Sequence, residues 1–288
     1  MSDAHGVVPA FAAPPHACDA HFHVFGPPGT YPHAGDLRYA PPLAPLDDYL
    51  ALAHRLGIER MVFVQPSAYG CDNRCMLDAM REIGPAQCRG IVDIDAASPD
   101  EVWQELDAIG VRGVRINVSP VKPPEPGFSQ TMLARIRRLD ERCAQFGWHL
   151  DFLAPGWLTA ELLPTLASLR CAHTLAHFGM FPAREGPDQP EFLRMLDLMT
   201  RAPRRTWIKF TGIYRMSQAA GFEDVTPMAR AIVAAAPDRI VWGSDYPHLS
   251  FADRVGSVEL YNKLLAWAPD AGDRRRILAD NPQALYGF

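Results

Sequence analysis

A chain of 288 residues, 48% of them apolar and 21% charged, has the length of a single α/β barrel and the composition of an ordinary globular domain. Its formal net charge of -5, with no basic run longer than the three arginines at 274–276, argues against nucleic acid as a partner. No stretch approaches the ~20 consecutive apolar residues of a membrane span, and the first 16 residues hold no apolar segment long enough for a secretion signal. The expectation is a cytoplasmic protein, monomeric or a small homo-oligomer, that acts on a small molecule.

Residues 1–16 read as an irregular arm and 17–288 as one domain, since no linker or change of composition divides them. Apolar runs at 18–25, 61–65, 89–94, 111–118, 148–153, 172–177, 206–211 and 239–243 alternate with stretches of helical pattern. Several runs (MVFVQ, GIVDI, RIVWG) are nearly continuous, as parallel strands covered on both faces are. Segment 26–45, GPPGTYPHAGDLRYAPPLAP, is too rich in Pro and Gly for regular structure, and a loop of that length suits the cover of an active site. The pattern LDDYLALAHRLG stops at Gly57, a usual helix-ending residue. Cys71 and Cys75 flank the start of the next helical pattern. Without a second ligand pair they read as plain thiols rather than a zinc site, and all six cysteines as reduced. Ser98 followed by Pro99 predicts an N-cap with Pro at the first position of the helix DEVWQELDAIG. Eight strands with crossover helices are what a (β/α)₈ TIM barrel needs.

The segment Asp19-Ala20-His21-Phe22-His23 ends the first run. Side chains alternate along a strand, so His21 and His23 point the same way, into a barrel at the end where barrel enzymes keep their chemistry. His177 closes the sixth run, in HTLAHFG, and Asp245 follows the eighth, in IVWGSDYPH. Three imidazoles and a carboxylate at strand ends suit either of two arrangements. In one, Asp245 is a general base and the imidazoles polarise a carbonyl directly. In the other, His21, His23, His177 and Asp245 hold one divalent ion, zinc by the nature of the donors. Arg112 and Arg115 lie three apart on the fourth run and face opposite ways. Arg115 shares a face with Asn117 and is placed to grip a carboxylate. Gln65 and Ser67 end the second run within reach of a ligand, and His248 sits on the rim near Asp245.

The segments DAHFHVFG, LAHFGM, VWGSDYPH and ILADNPQALYGF, spread over nearly the whole chain, resemble the amidohydrolase superfamily and its amidohydrolase-2 branch. The order CDAHFHVFGP, FVQPSAYGCDN, RGVRINV, IKFTGIYRMS resembles the 2-pyrone-4,6-dicarboxylate lactonases and related sugar lactonases. That resemblance implies hydrolysis of an anionic lactone, with His21, His23, His177 and Asp245 as the catalytic positions. It also implies Arg215 and Tyr39 as substrate contacts. Fourth-strand VRGVRINV has no Lys, so the two-metal site of other superfamily members is not expected, and the cofactor is none or one divalent ion. Two departures bear on specificity. SPVKPPEP stands where the lactonases have a second Arg, and Lys122 is not equivalent to Arg for a bidentate carboxylate. Phe152 stands for a fifth-strand Tyr. The alternatives kept open are a metal-dependent nonoxidative decarboxylase, a lactone isomerase, and a non-catalytic barrel.

Overall fold

The computed structural model describes residues 6–35, 37, 39–118 and 128–288, with no side-chain detail for 128–130. Eight parallel strands follow one another around a single sheet in chain order. They are β1 (Cys18–Phe22), β2 (Arg60–Val64), β3 (Cys88–Val92), β4 (Val111–Asn117), β5 (His149–Leu153), β6 (His173–Leu175), β7 (Thr206–Phe210) and β8 (Ile240–Trp242). Seven crossovers carry helices α1 (Leu46–Leu56), α2 (Arg74–Ile83), α3 (Asp100–Ala108), α4 (Phe128–Phe146), α5 (Gly156–Leu166), α6 (Pro190–Thr200) and α7 (Thr226–Ala235). The ring closes just beyond β8, where Asp245 N–H donates to His21 O and His23 N–H to Tyr246 O, both at 2.8 Å. This is a (β/α)₈ barrel. Among the described residues no helix is long and apolar enough to cross a membrane.

Every predicted strand forms, because each apolar run has a helix layer outside and a packed interior within. Outside, Phe22 stacks on Tyr49 of α1, with ring centroids 3.5 Å apart. Inside, Cys18, Ala20, Val62, Val64, Ile91 and Val241 form a second apolar cluster with Tyr286. Gly57 ends α1 at φ 73° and takes the capping contacts expected of it. The expected cap on α3 does not form. Its helix begins at Asp100 with Pro99 in the cap position and no side-chain cap; Ser98 lies one residue ahead of that position, in a turn closed by its N–H on Asp95 O at 3.0 Å.

Three features of the fold bear on the site. First, the β1–β2 ladder gains one residue between Asp19 and Phe22. This bulge lets Ala20 stay in the interior apolar cluster while His21 and His23, both buried, come together above it. Second, the 26–45 loop is pinned at its ends by paired hydrogen bonds between Phe25 and Ala44 and held along its length by Ala34 N–H on Ala68 O at 2.7 Å. Third, the C-terminal helices α8 (Ser257–Asn262), α9 (Leu264–Trp267), α10 (Ala271–Arg275) and α11 (Asn281–Tyr286) brace the other end. There the Asn281 amide donates to Ile240 O (2.6 Å) and Pro237 O (2.9 Å), which gives the DNPQALYGF tail its structural role. Residues 6–16 form no helix or strand and lie on this brace, with Phe11 stacked on Tyr261 at 4.4 Å.

Candidate active site

A cleft lined by His23, Tyr39, Ser67, Arg115, Asn117, Leu153, His177, Arg215 and Asp245 among others opens at the C-terminal ends of the strands. At its floor Asp245 is buried and has its two oxygens in different company. Oδ2 accepts from the Tyr214 hydroxyl at 2.5 Å and from Arg215 Nε at 3.3 Å. Oδ1 faces His21 Nε2 at 3.5 Å and His23 Nε2 at 3.6 Å. Burial works to raise the carboxyl pKa, but the Arg215 guanidinium beside it outweighs burial and holds it well below the usual carboxylate range. The carboxylate is therefore ionised at neutral pH with one oxygen anchored and one unspent.

The histidines are neutral. Burial, with Lys209 second, pushes His21 well below its ordinary pKa; burial likewise lowers His23 and takes His177 down to about 3. His23 Nδ1 lies 2.7 Å from Val64 O. A carbonyl only accepts, so Nδ1 carries the proton and Nε2 presents a lone pair to the cleft. His177 reaches the site by leaving its strand: it, Phe178 and Met180 take positive φ (52°, 56° and 61°), as does Asp245 at 57°. Such conformations cost of order 1 kcal/mol or more per non-glycine residue. Close glycines make room for them. A Cβ on Gly212 would lie 2.2 Å from His177 Nδ1, and one on Gly243 2.6 Å from His21 Cβ.

Other expected contacts divide into cleft and support. Arg115 is buried and donates Nη1–H to Gln65 O at 2.5 Å; Arg112, on the opposite face as its spacing implies, binds Asp107 instead. Tyr39 and Ser67 meet at the mouth, their oxygens 3.4 Å apart. The Gln65 amide is occupied in the loop after β2, donating to Gly70 O and Asp72 O at 2.9 Å each. His248 lies behind the cleft, with Nε2 2.8 Å from Ser257 Oγ and Nδ1 3.4 Å from the Tyr214 hydroxyl. Phe152 does not face the cleft. It packs outside β5 against His173, and Leu153 takes the inward position. Lys122 falls outside the described residues.

The Amidohydro_2 family model, described as Amidohydrolase, matches residues 18–288. The chain belongs to this amidohydrolase family. Similar proteins include a 4-sulfomuconolactone hydrolase from Hydrogenophaga intermedia, 37% identical over 96% of this chain and 90% of that one. A 2-pyrone-4,6-dicarboxylate hydrolase from Comamonas testosteroni is 33% identical (96% and 92% covered). A D-galactarolactone isomerase from Agrobacterium fabrum is 32% identical (98% and 94%). An apo crystal structure from Agrobacterium tumefaciens superposes with a TM-score of 0.85 at 31% identity, covering 98% of this chain and 99% of that one.

Within this amidohydrolase, His21, His177 and Asp245 each offer a ligand atom, all within 4.8 Å of one another; His23 falls outside that set. By position and donor type the trio suits a divalent ion. By protonation His21 does not. A metal-bound imidazole gives its other ring N–H to an acceptor, whereas the group facing His21 Nδ1 is the Lys209 amine at 3.4 Å. Asp245 Oδ2 is also already taken by two donors.

Three residues next to the site were not singled out from sequence: Tyr214, Lys209 and Asp151. The latter two pair at 2.5 Å, both with no solvent exposure. Each had a signal, a charge inside an otherwise apolar strand (TWIKF, HLDFL) on the inward parity. Tyr214 precedes Arg215 on a one-turn 3₁₀ segment, whose geometry the letters IYR do not announce.

Proposed function

We propose that this amidohydrolase opens the ring of an anionic lactone with water, Asp245 acting as general base. The observation that carries the reading is the half-anchored, ionised Asp245, its free oxygen facing neutral imidazoles in a cleft that also holds Arg115. Water lying against Oδ1 gives a proton to the carboxylate as its oxygen bonds to the lactone carbonyl carbon. Negative charge that develops on the carbonyl oxygen is met by imidazole N–H and guanidinium donors already in place. Collapse breaks the ring C–O bond, and the departing ring oxygen takes the proton back from Asp245. The products are one carboxylic acid and one hydroxyl (or its keto form), and Asp245 is again ionised.

Arg115 and Arg215 are the groups we assign to the substrate's anionic substituents, with Tyr39 and Ser67 at the mouth. Two of the relatives are named for lactones bearing a sulfo or a dicarboxylate group, which accords with that charge. The six free cysteines suit the reducing cytoplasm.

A panel of pyrone, muconate and sugar-acid lactones, followed with a pH indicator, tests the reading. Hydrolysis releases one acid proton per turnover at neutral pH. Isomerisation, the reaction in the name of one relative, yields another lactone and no net acid. Nonoxidative decarboxylation takes up a proton and releases CO₂. Acid release from an anionic lactone supports the proposal; turnover without it sinks the hydrolase reading.

A further inference from the structure

Directly beneath His21 the barrel holds a charge pair that the reaction as written does not use. Lys209 of β7 and Asp151 of β5 pair at 2.5 Å, neither exposed to solvent. From the intervening β6, the Thr174 hydroxyl donates to the same Asp151 oxygen at 2.7 Å. Stability does not account for this pair. Removing two ions from water is costly, and an apolar pair of similar volume in such a place is often as stable or more so. Its position does distinguish it, because Lys209 Nζ also lies 3.1 Å from Ala20 O and 3.4 Å from His21 Nδ1.

Hydrogen counting then fixes the imidazole. Burial lowers the Lys209 pKa and Asp151 opposes it; with a carboxylate oxygen at 2.5 Å that already accepts from Thr174, the amine is an ammonium with three protons and no lone pair. Two of these protons go to Asp151 and Ala20 O. The third faces His21 Nδ1, which must accept. We infer that Lys209, anchored by Asp151, is a positioning residue that holds His21 in the tautomer with its proton on Nε2. His21 then presents an N–H donor beside Asp245 Oδ1, while His23, held by Val64 O, presents a bare nitrogen. The two histidines of one strand are thus set in opposite tautomers by opposite partners. One is a donor for a developing oxyanion, and the other an acceptor for the proton-bearing water.

His21's role as oxyanion donor rests on the hydrolase reading; its tautomer does not. The test therefore has two arms. In wild-type protein carrying ¹⁵N-labelled histidine, long-range ¹H–¹⁵N correlation should show His21 with a protonated Nε2 and a bare Nδ1, with no substrate present. The double variant Lys209→Met/Asp151→Asn removes both charges together and so leaves no unpaired buried ion. It should lose the single-tautomer signature and up to about 100- to 1,000-fold in kcat, since an oxyanion donor contributes on that scale, with KM little changed. A wild-type His21 protonated on Nδ1 overturns the inference even if the protein proves not to be a lactonase. So does a folded double variant that retains wild-type kcat, or one that loses kcat with the His21 tautomer unaltered. If the double variant does not fold, the wild-type spectrum alone decides.

Discussion

Replacing Asp245 by Asn removes the base while keeping its anchor. Oδ2 accepts from Tyr214 and Arg215 at 2.5 and 3.3 Å, so the Asn carbonyl oxygen, the only acceptor on the amide, takes that place. Its NH₂ then occupies the position of Oδ1, 3.5 and 3.6 Å from the two imidazole nitrogens, and cannot receive a proton from water. A positioned general base contributes about 10²- to 10⁴-fold, so kcat should fall by that factor. At about 1.4 kcal/mol per decade this is a loss of about 3 to 6 kcal/mol of transition-state stabilisation. Arg115, Tyr39 and Ser67 make no hydrogen bond to Asp245, and Arg215 keeps its contact through the Asn carbonyl oxygen, so substrate affinity should stay within a few-fold. Indicator-coupled turnover gives kcat, and calorimetry on the slow variant gives affinity directly, because chemistry no longer competes with dissociation. A correctly folded variant with kcat within tenfold of wild type refutes Asp245 as the base.

Arg115→Met should raise KM for an anionic lactone by about 10- to 100-fold, the worth of one charge-assisted contact, with kcat changed far less; steady-state kinetics showing an unchanged KM would remove Arg115 from the substrate. Gly212→Ala places a Cβ where His177 Nδ1 now lies, at a residue with φ 55°; kcat should drop at least tenfold with a stability loss of about 1 to 2 kcal/mol, and a fully active variant would show that His177 can move freely. Acid should unfold the protein early. Burial lowers His149 and His173 to about 4 and His177 to about 3, below the ~6.5 of an unfolded chain, so between those values the unfolded state binds more protons and stability falls as pH falls. Asp19, raised by burial to about 6, works in the opposite sense and offsets one of these, leaving about two protons from these four groups, or about 2.7 kcal/mol per pH unit near pH 5; His21 and His23, also lowered, add to the same trend. Urea midpoints that stay level from pH 7 to pH 5 would contradict these assignments.

The strands were legible because each is an apolar run covered on both faces, and the four central residues because they stand where such runs end. What the pattern does not carry is parity. Phe152 and Leu153 are adjacent apolar letters, and only the pairing of Arg115 with Asp151 decides which of them meets the cleft. The bulge in β1 shifts the phase again between Asp19 and Phe22, and His21 and His23 nevertheless both face Asp245 Oδ1. Ser98 matches a capping sequence, but the helix starts one residue later than the letters suggest, so Pro99 takes the cap position and Ser98 falls in the turn before it. Lys209 and Asp151 interrupt apolar strands, a conflict visible in the letters, but their pairing depends on which strands face each other across the closed ring.

A straight strand cannot bring His177 and Asp245 to one point with His21 and His23, because strands that tilt around a barrel send successive side chains to different heights on its wall. Both residues instead sit two or three positions past their strands in left-handed backbone, which turns each side chain over the barrel mouth. That conformation costs stability at a non-glycine residue, and neither position has a substitute: glycine would relieve the strain and remove the imidazole or carboxylate. The chain relieves it nearby, with Gly179 taking the next left-handed step after Phe178 and with Gly212 and Gly243 leaving space for the His177 ring and the His21 backbone. The glycines in LAHFG, FTG and VWG thus belong to the site as much as the polar residues do. They let three strand ends converge on the single unspent oxygen of Asp245.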